Sequence, residues 1–106
     1  MKTNKELVEH LNSLNISQTS DWSEDIPTEI WEEQFKNNYH SVETGLNVDK
    51  HRWYELSTKV IKRNDGFIGV RSVTDCFNES SSIEDMGHNL EFFEMKEVSS
   101  ITYIKA

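Results

Sequence analysis

A thiol with an imidazole nearby makes a nucleophile and its base, and the chain offers one such pair: Cys76, preceded by Asp75, with His88 twelve residues on. The pairing is weak on its own terms. Cys76 is the only cysteine, no family signature surrounds it, and a lone cysteine is more often a small buried hydrophobe. His10, His40, His51 and His88 are separated by thirty, eleven and thirty-seven residues, so none share the i, i+3 or i, i+4 spacing of helical metal ligands. Glu32-Glu33 and Glu84-Asp85 are neighbouring carboxylates, whereas acid–base catalysis needs one carboxyl raised by a pocket. Asp65-Gly66 lacks the spaced oxygen ligands of a calcium loop, and Gly45, Gly66, Gly69 and Gly87 stand too far apart to cradle a phosphate. The expectation is a non-enzymatic protein with no catalytic residues, no metal and no cofactor.

Charge carries more information than any motif. Residues 21–33 hold six acids and no base, and residues 72–95 again hold six acids and no Lys or Arg. Residues 50–71 hold six bases against Glu55 and Asp65, and the rest of the chain is neutral, so these three stretches produce the net charge of −8. Such a balance disfavours direct binding to nucleic-acid phosphates and favours basic surfaces, including the basic grooves of proteins that themselves bind nucleic acid. Rows of carboxylates on a rigid scaffold can occupy such a groove in place of phosphates. The bland reading of any charge run is a solvated face.

The expected partner-binding set is therefore Asp21, Trp22, Glu24, Asp25, Glu29, Glu32 and Glu33, with Asp75, Glu79, Glu84 and Asp85 from the second acidic stretch. Trp22 joins it because it stands in a polar loop. Trp53, on the strand face opposite the expected core, is a second candidate contact, whereas Trp31, Phe35 and Tyr54 are expected in the core. A different use of the same charges is self-association through the sheet, with the basic hairpin of one subunit meeting the acidic stretches of another. Monomer and homodimer both remain open.

These residues need elements to hold them. At 106 residues the chain has the length of one domain with one core. Thr3 and Glu6 form a capping box ahead of Leu7, Val8, Leu11 and Leu14, predicting a helix over 4–15. A second helix is predicted over 27–38, capped by Asp25 or Thr28, with Ile30, Trp31 and Phe35 inward and Glu29, Glu32 and Glu33 outward. From His51 the period changes to two, and Tyr54, Leu56, Thr58 and Val60 are expected on one buried face. Asn64-Asp65-Gly66 predicts a tight hairpin, and Ile68 and Val70 are expected to face the core. Strands over 52–62, 67–74, 89–96 and 99–105, with a helical turn closed by Gly87, complete an α+β fold: two N-terminal helices on an antiparallel meander of about four strands. The single cysteine, the amphipathic rather than apolar N-terminal segment and the lack of any membrane-length apolar run lead to an expectation of a cytoplasmic protein with no membrane contact.

The run His51-Arg52-Trp53-Tyr54-Glu55-Leu56-Ser57-Thr58, then Asp65-Gly66-Phe67-Ile68-Gly69-Val70-Arg71, resembles small accessory proteins of bacteriophages and prophages. Glu91-Phe92-Phe93-Glu94-Met95 and the Val98, Thr102, Tyr103 pattern extend the resemblance, which covers residues 51–105. It rests on strand patterns and carries no residue-by-residue activity. It implies a gene of a phage or mobile element, and small acidic proteins of that origin include inhibitors of host defence nucleases, CRISPR effectors among them. The expected partner is then a host protein with a basic groove, a defence nuclease being one candidate, inside the bacterial cytoplasm.

Overall fold

Helix α1 (Asn4–Ser13) begins where the sequence predicts it, on a reciprocal cap. Thr3 Oγ1 accepts the Glu6 N–H at 3.2 Å, and Glu6 Oε1 accepts the Thr3 N–H at 3.0 Å. The bond from the Thr3 N–H also holds the Glu6 carboxyl below its ordinary pKa. Leu7 and Leu11 are fully buried, whereas Leu14, expected on the same stripe, is 43 % exposed because the helix ends before it.

The computed structural model describes residues 2–76, 82–84, 87–98 and 102–106. In it the helix predicted over 27–38 is found as α3 (Thr28–Ile30) continued by a π-helical turn over Trp31–Phe35, starting as read and stopping three residues early, and a further short helix, α2 (Trp22–Asp25), precedes it where the sequence presents a polar loop. Pro27 separates α2 from α3. Its ring drives the preceding Ile26 out of the helical region, to φ −69°, ψ 130°. Neither Asp25 nor Thr28 caps the continuation; Pro27 holds that position without a side-chain bond. The wide turn is marked by the Lys36 N–H reaching Trp31 O, five residues back, at 2.9 Å.

Five antiparallel strands follow in sequence order: β1 (His40–Lys50), β2 (Tyr54–Arg63), β3 (Gly66–Cys76), β4 (Glu91–Val98) and β5 (Thr102–Lys105). The meander is as expected, with one strand more. β1 gives no period-two signal because it buries almost nothing: of its eleven residues only Leu46 is not exposed. Three register shifts along its pairing with β2, and positive φ at Gly45 and Asn47, further scramble its alternation. The hairpin turn joins Arg63 to Gly66 through Asn64, whose φ is 56°. Gly87, at φ 65°, donates its N–H to Glu84 O, consistent with the expected closing glycine, while residues 85 and 86 of that turn lie outside the described residues.

β2 buries side chains of both parities, which corrects the one-sided expectation for it. Ile61, Ile68, Val70, Leu90 and Phe92 form the main core with Leu7, Leu11, Trp22, Ile26 and Phe35. Ile61 has the parity opposite to the Tyr54–Val60 set. Thr58, Val60, Val73 and Met95 are also buried but stand outside that cluster. Two side-chain amides pair with strand backbone where no neighbouring strand does. Asn12 exchanges two bonds with Phe92, at 2.9 and 3.0 Å, and Gln18, 1 % exposed, exchanges two with Val73, at 3.0 and 2.8 Å.

Arg63, 1 % exposed, ties the helices to the hairpin. Its Nε donates to Gln34 O at 2.7 Å, Nη2 to Gln34 Oε1 at 2.6 Å and Nη1 to Asn4 Oδ1 at 2.9 Å. Burial lowers its pKa below the ordinary guanidinium value, and no carboxylate among the described residues bridges it. Arg63→Ala strands these acceptors. The substitution is expected to lower unfolding free energy by roughly 2–4 kcal/mol, read from the denaturant midpoint at unchanged slope.

Candidate functional site

The acids of residues 21–33 divide into two groups with different surroundings. Asp25 is consumed by the preceding turn: its carboxylate accepts from Thr19 N at 2.9 Å, Thr19 Oγ1 at 2.5 Å and Ser20 N at 3.3 Å. Glu24 accepts from Ser20 Oγ at 2.7 Å. Asp21 faces Lys59 of the hairpin at 3.8 Å, a long and half-solvated pair that contributes little. These three fix a local turn. Glu29, Glu32 and Glu33 are exposed, and among the described residues no cation bridges them and no donor bonds them.

That second group stands on a stiffly backed segment. Behind it, Trp22, Trp31, Phe35 and Tyr39 pack so that every pair of rings lies between 5.3 and 6.2 Å apart. Below it, Gln34 takes the Arg63 guanidinium. Beyond it, Asn38 Nδ2 donates to Asn64 Oδ1 at 2.6 Å and Asn38 Oδ1 accepts from Asn64 N at 3.3 Å, fastening the end of the segment to the hairpin turn. The carboxylates therefore project from a fixed base.

Trp22 leaves the expected contact set. It is 3 % exposed and packs against three of the rings, because α2 turns it inward from what the sequence presents as a polar loop. Trp53 remains outside, 47 % exposed, with the Arg52 guanidinium 4.7 Å from its ring centre. Phe35 is buried, while Trp31 and Tyr54 are half-buried.

In the second acidic stretch Asp75 and Glu84 are exposed, and no hydrogen bond or ion pair among the described residues links them to Glu29, Glu32 or Glu33. Glu79 and Asp85 lie outside the described residues. Asp75 is the register partner of Glu55, so two like charges face each other across the end of the hairpin. The Cys76–His88 pairing converges on one tyrosine: Cys76 is the register partner of Tyr54, whose ring is 4.8 Å from His88 and stacks on His51 at 4.5 Å. Among the described residues no group of three or more His, Cys, Asp or Glu is placed to hold a metal ion, and no helix is long and apolar enough to cross a membrane.

Hollows open on both sides of the sheet. On the helix side a cleft of about 500 Å³ is lined by Asp21, Glu55, Lys59 and the hydroxyl residues Ser57, Ser72 and Thr74. Its cation already faces Asp21. On the other side a trough of about 290 Å³ brings together Arg71, Glu91, Phe93 and Lys105. Sequence reasoning missed this grouping. Its signal is parity: Thr58, Arg71 and Glu91 are successive partners in one rung across three strands, legible only once the register is known.

Trp22→Ala is expected to act on folding rather than on contact, removing about 3–5 kcal/mol of unfolding free energy as the ring cluster loses its central member. Trp53→Ala should change stability by less than about 0.5 kcal/mol in the same denaturation measurement. No family model matches this chain, and neither a curated protein nor a solved structure matches it.

Proposed function

We propose that the chain is a non-enzymatic binding protein that docks onto a basic, nucleic-acid-binding groove of a partner protein and blocks it. The observation that supports this reading is the set Glu29, Glu32 and Glu33, exposed and unneutralised on a segment fixed by a buried arginine and four packed rings. Free carboxylates on a preordered base bring charge to a partner without a further ordering cost, and their field speeds encounter with a basic surface. Asp21, Glu24 and Asp25 extend the negative field but are committed to the fold. The resemblance of residues 51–105 to phage accessory proteins adds the setting, with a host defence nuclease as the partner class.

The alternative, self-association through the sheet, would have to use β1 or β5. β1 is bulged three times and carries two positive-φ residues, and β5 has four residues. Short, bulged edges are what natural sheets use against pairing with a copy. The internal contacts of the basic hairpin point the same way: Lys59 faces Asp21, Arg71 faces Asp49 at 3.9 Å, and Arg63 is buried, leaving less of its charge for a second subunit.

The test is a chain with Glu29, Glu32 and Glu33 all changed to Lys. Circular dichroism should show the fold retained, since none of the three bonds to anything. Affinity for a nucleic-acid-binding protein captured from bacterial lysate should fall at least ten-fold, about 1.4 kcal/mol, and that protein's own nucleic acid should displace the unmodified chain. Unchanged affinity in low salt after charge reversal would rule this face out as the contact.

A further inference from the structure

The trough on the face of the sheet away from the helices has no role in the acidic docking surface, and its construction is specific. Beneath its Met95 side lies a buried glycine. Gly69 lies between Val60 on β2 and Phe93 on β4 in register, so one rung of the sheet has no side chain at its middle. A Cβ there would lie within 2.3 Å of Met95 Sδ and 3.2 Å from Thr58 Cγ2, so the methionine leans over the space that any other residue would fill. Phe93 makes one wall, with Lys105 Nζ 4.2 Å from its ring centre.

The adjoining rung supplies charge. Thr58, Arg71 and Glu91 are successive register partners, so their side chains share one face. Arg71 is pinned through a single nitrogen: Nη1 donates to Asn47 O at 2.8 Å and to Thr58 Oγ1 at 3.2 Å. Its Nη2 lies 3.9 Å from Asp49 Oδ2, beyond hydrogen-bond reach, and neither Nε nor Nη2 has a hydrogen-bond acceptor among the described residues. Among the described residues no buried side-chain nitrogen is left unsatisfied, so these donors are open to solvent. Nε and Nη2 together form the fork with which a guanidinium grips a carboxylate. Glu91, directly across the strand, does not close on that fork to make an ion pair within 4.0 Å.

From this we propose that the trough binds a small monocarboxylate with an apolar body. The carboxylate sits on Nε and Nη2 of Arg71, taking the place of the long contact with Asp49, and the hydrocarbon lies along Phe93 and Met95. A volume of about 290 Å³ is at the lower end for small-molecule sites, which sets the ligand at a few carbons to one small ring. Arg71 and Lys105 are matched by Glu91 and Asp49, so the apolar walls carry the selection: phosphate has no hydrocarbon to lay against Phe93 and Met95.

The test is a titration of the isotopically labelled chain followed by NMR, with hexanoate as the probe. Saturable shifts are expected at the amides of Gly69 and Phe93, together with a downfield move of the Arg71 Nε proton. Hexanamide, which keeps the tail and loses the charge, and inorganic phosphate should each produce no saturable change. Arg71→Lys keeps the cation and removes the fork, so hexanoate affinity should fall ten-fold or more. The chain with Glu29, Glu32 and Glu33 reversed should bind as the unmodified chain does, separating this site from the docking face. Absence of saturation with hexanoate, equal binding of hexanamide, or full affinity in a folded Arg71→Lys variant would each overturn the proposal. Should Arg71→Lys fail to fold, the Arg71 Nε proton of the unmodified chain decides: an unmoved resonance on saturation refutes contact with the fork.

Discussion

One buried guanidinium holds the two halves of the molecule in register. Arg63 ends β2 beneath the π-helical turn, and its three bonds go to Gln34 and Asn4, one residue in each helical region. Asn4 Nδ2 returns a bond to Arg63 O at 2.8 Å, and Lys2 N donates to Gln34 Oε1 at 2.9 Å, so the group is closed on itself. A buried cation is costly unless its hydrogen bonds are met. Here neutral oxygens meet them, which demands close placement of Gln34 and Asn4 and so specifies how the helices sit on the hairpin. Even the hairpin turn obeys this constraint: a Cβ at Gly66 would approach Asn4 Nδ2 to 2.7 Å.

The same economy of amides runs through the rest of the fold. Among the described residues the longest helix, α1, has ten residues, too few for the helices to cover the sheet by apolar packing alone. Asn12 and Gln18 instead bond to strand backbone at Phe92 and Val73, positions where the ladder between β3 and β4 or between β4 and β5 has run out. Each amide offers one donor and one acceptor, and so does a peptide group; this is why Asn and Gln can stand in for an extra strand. The loop residues Ile16 to Gln18 join in through Leu90 and His88.

These polar clamps also explain what the sequence reveals and what it hides. The capping box at Thr3, the turn at Asn64 and the inward Ile68 and Val70 are local or periodic, and each is found as read. β1 hides because an exposed edge strand has no alternation to detect, and α2 hides because its four residues, cut off by Pro27 and the extended Ile26, are too few to show a period. Trp22 looks like a loop residue, yet three rings distant in sequence by nine to seventeen positions draw it inside. The acidic face is legible as composition, but which carboxylates are free is not. Thr19 and Ser20 consume Asp25 and Glu24, and nothing in the spacing distinguishes those from Glu29, Glu32 and Glu33. The trough depends on strand register, a long-range property that side-chain periodicity does not fix.

Charge, finally, is allotted in two different ways. Three of the six bases of residues 50–71 are drawn into the fold, Arg63 beneath the helices, Arg71 onto Asn47 and Thr58, and Lys59 towards Asp21, while Lys50, Arg52 and Lys62 stay exposed. Glu29, Glu32 and Glu33 are left out of it, although they repel one another and relieve nothing inside. A fold selected for stability alone gains by interleaving the two signs, since like charges one turn apart cost a few tenths of a kcal/mol per pair. Exposed acids with no intramolecular partner, on a base made rigid by a buried arginine, are therefore the feature that folding does not account for, and on that imbalance the docking reading rests.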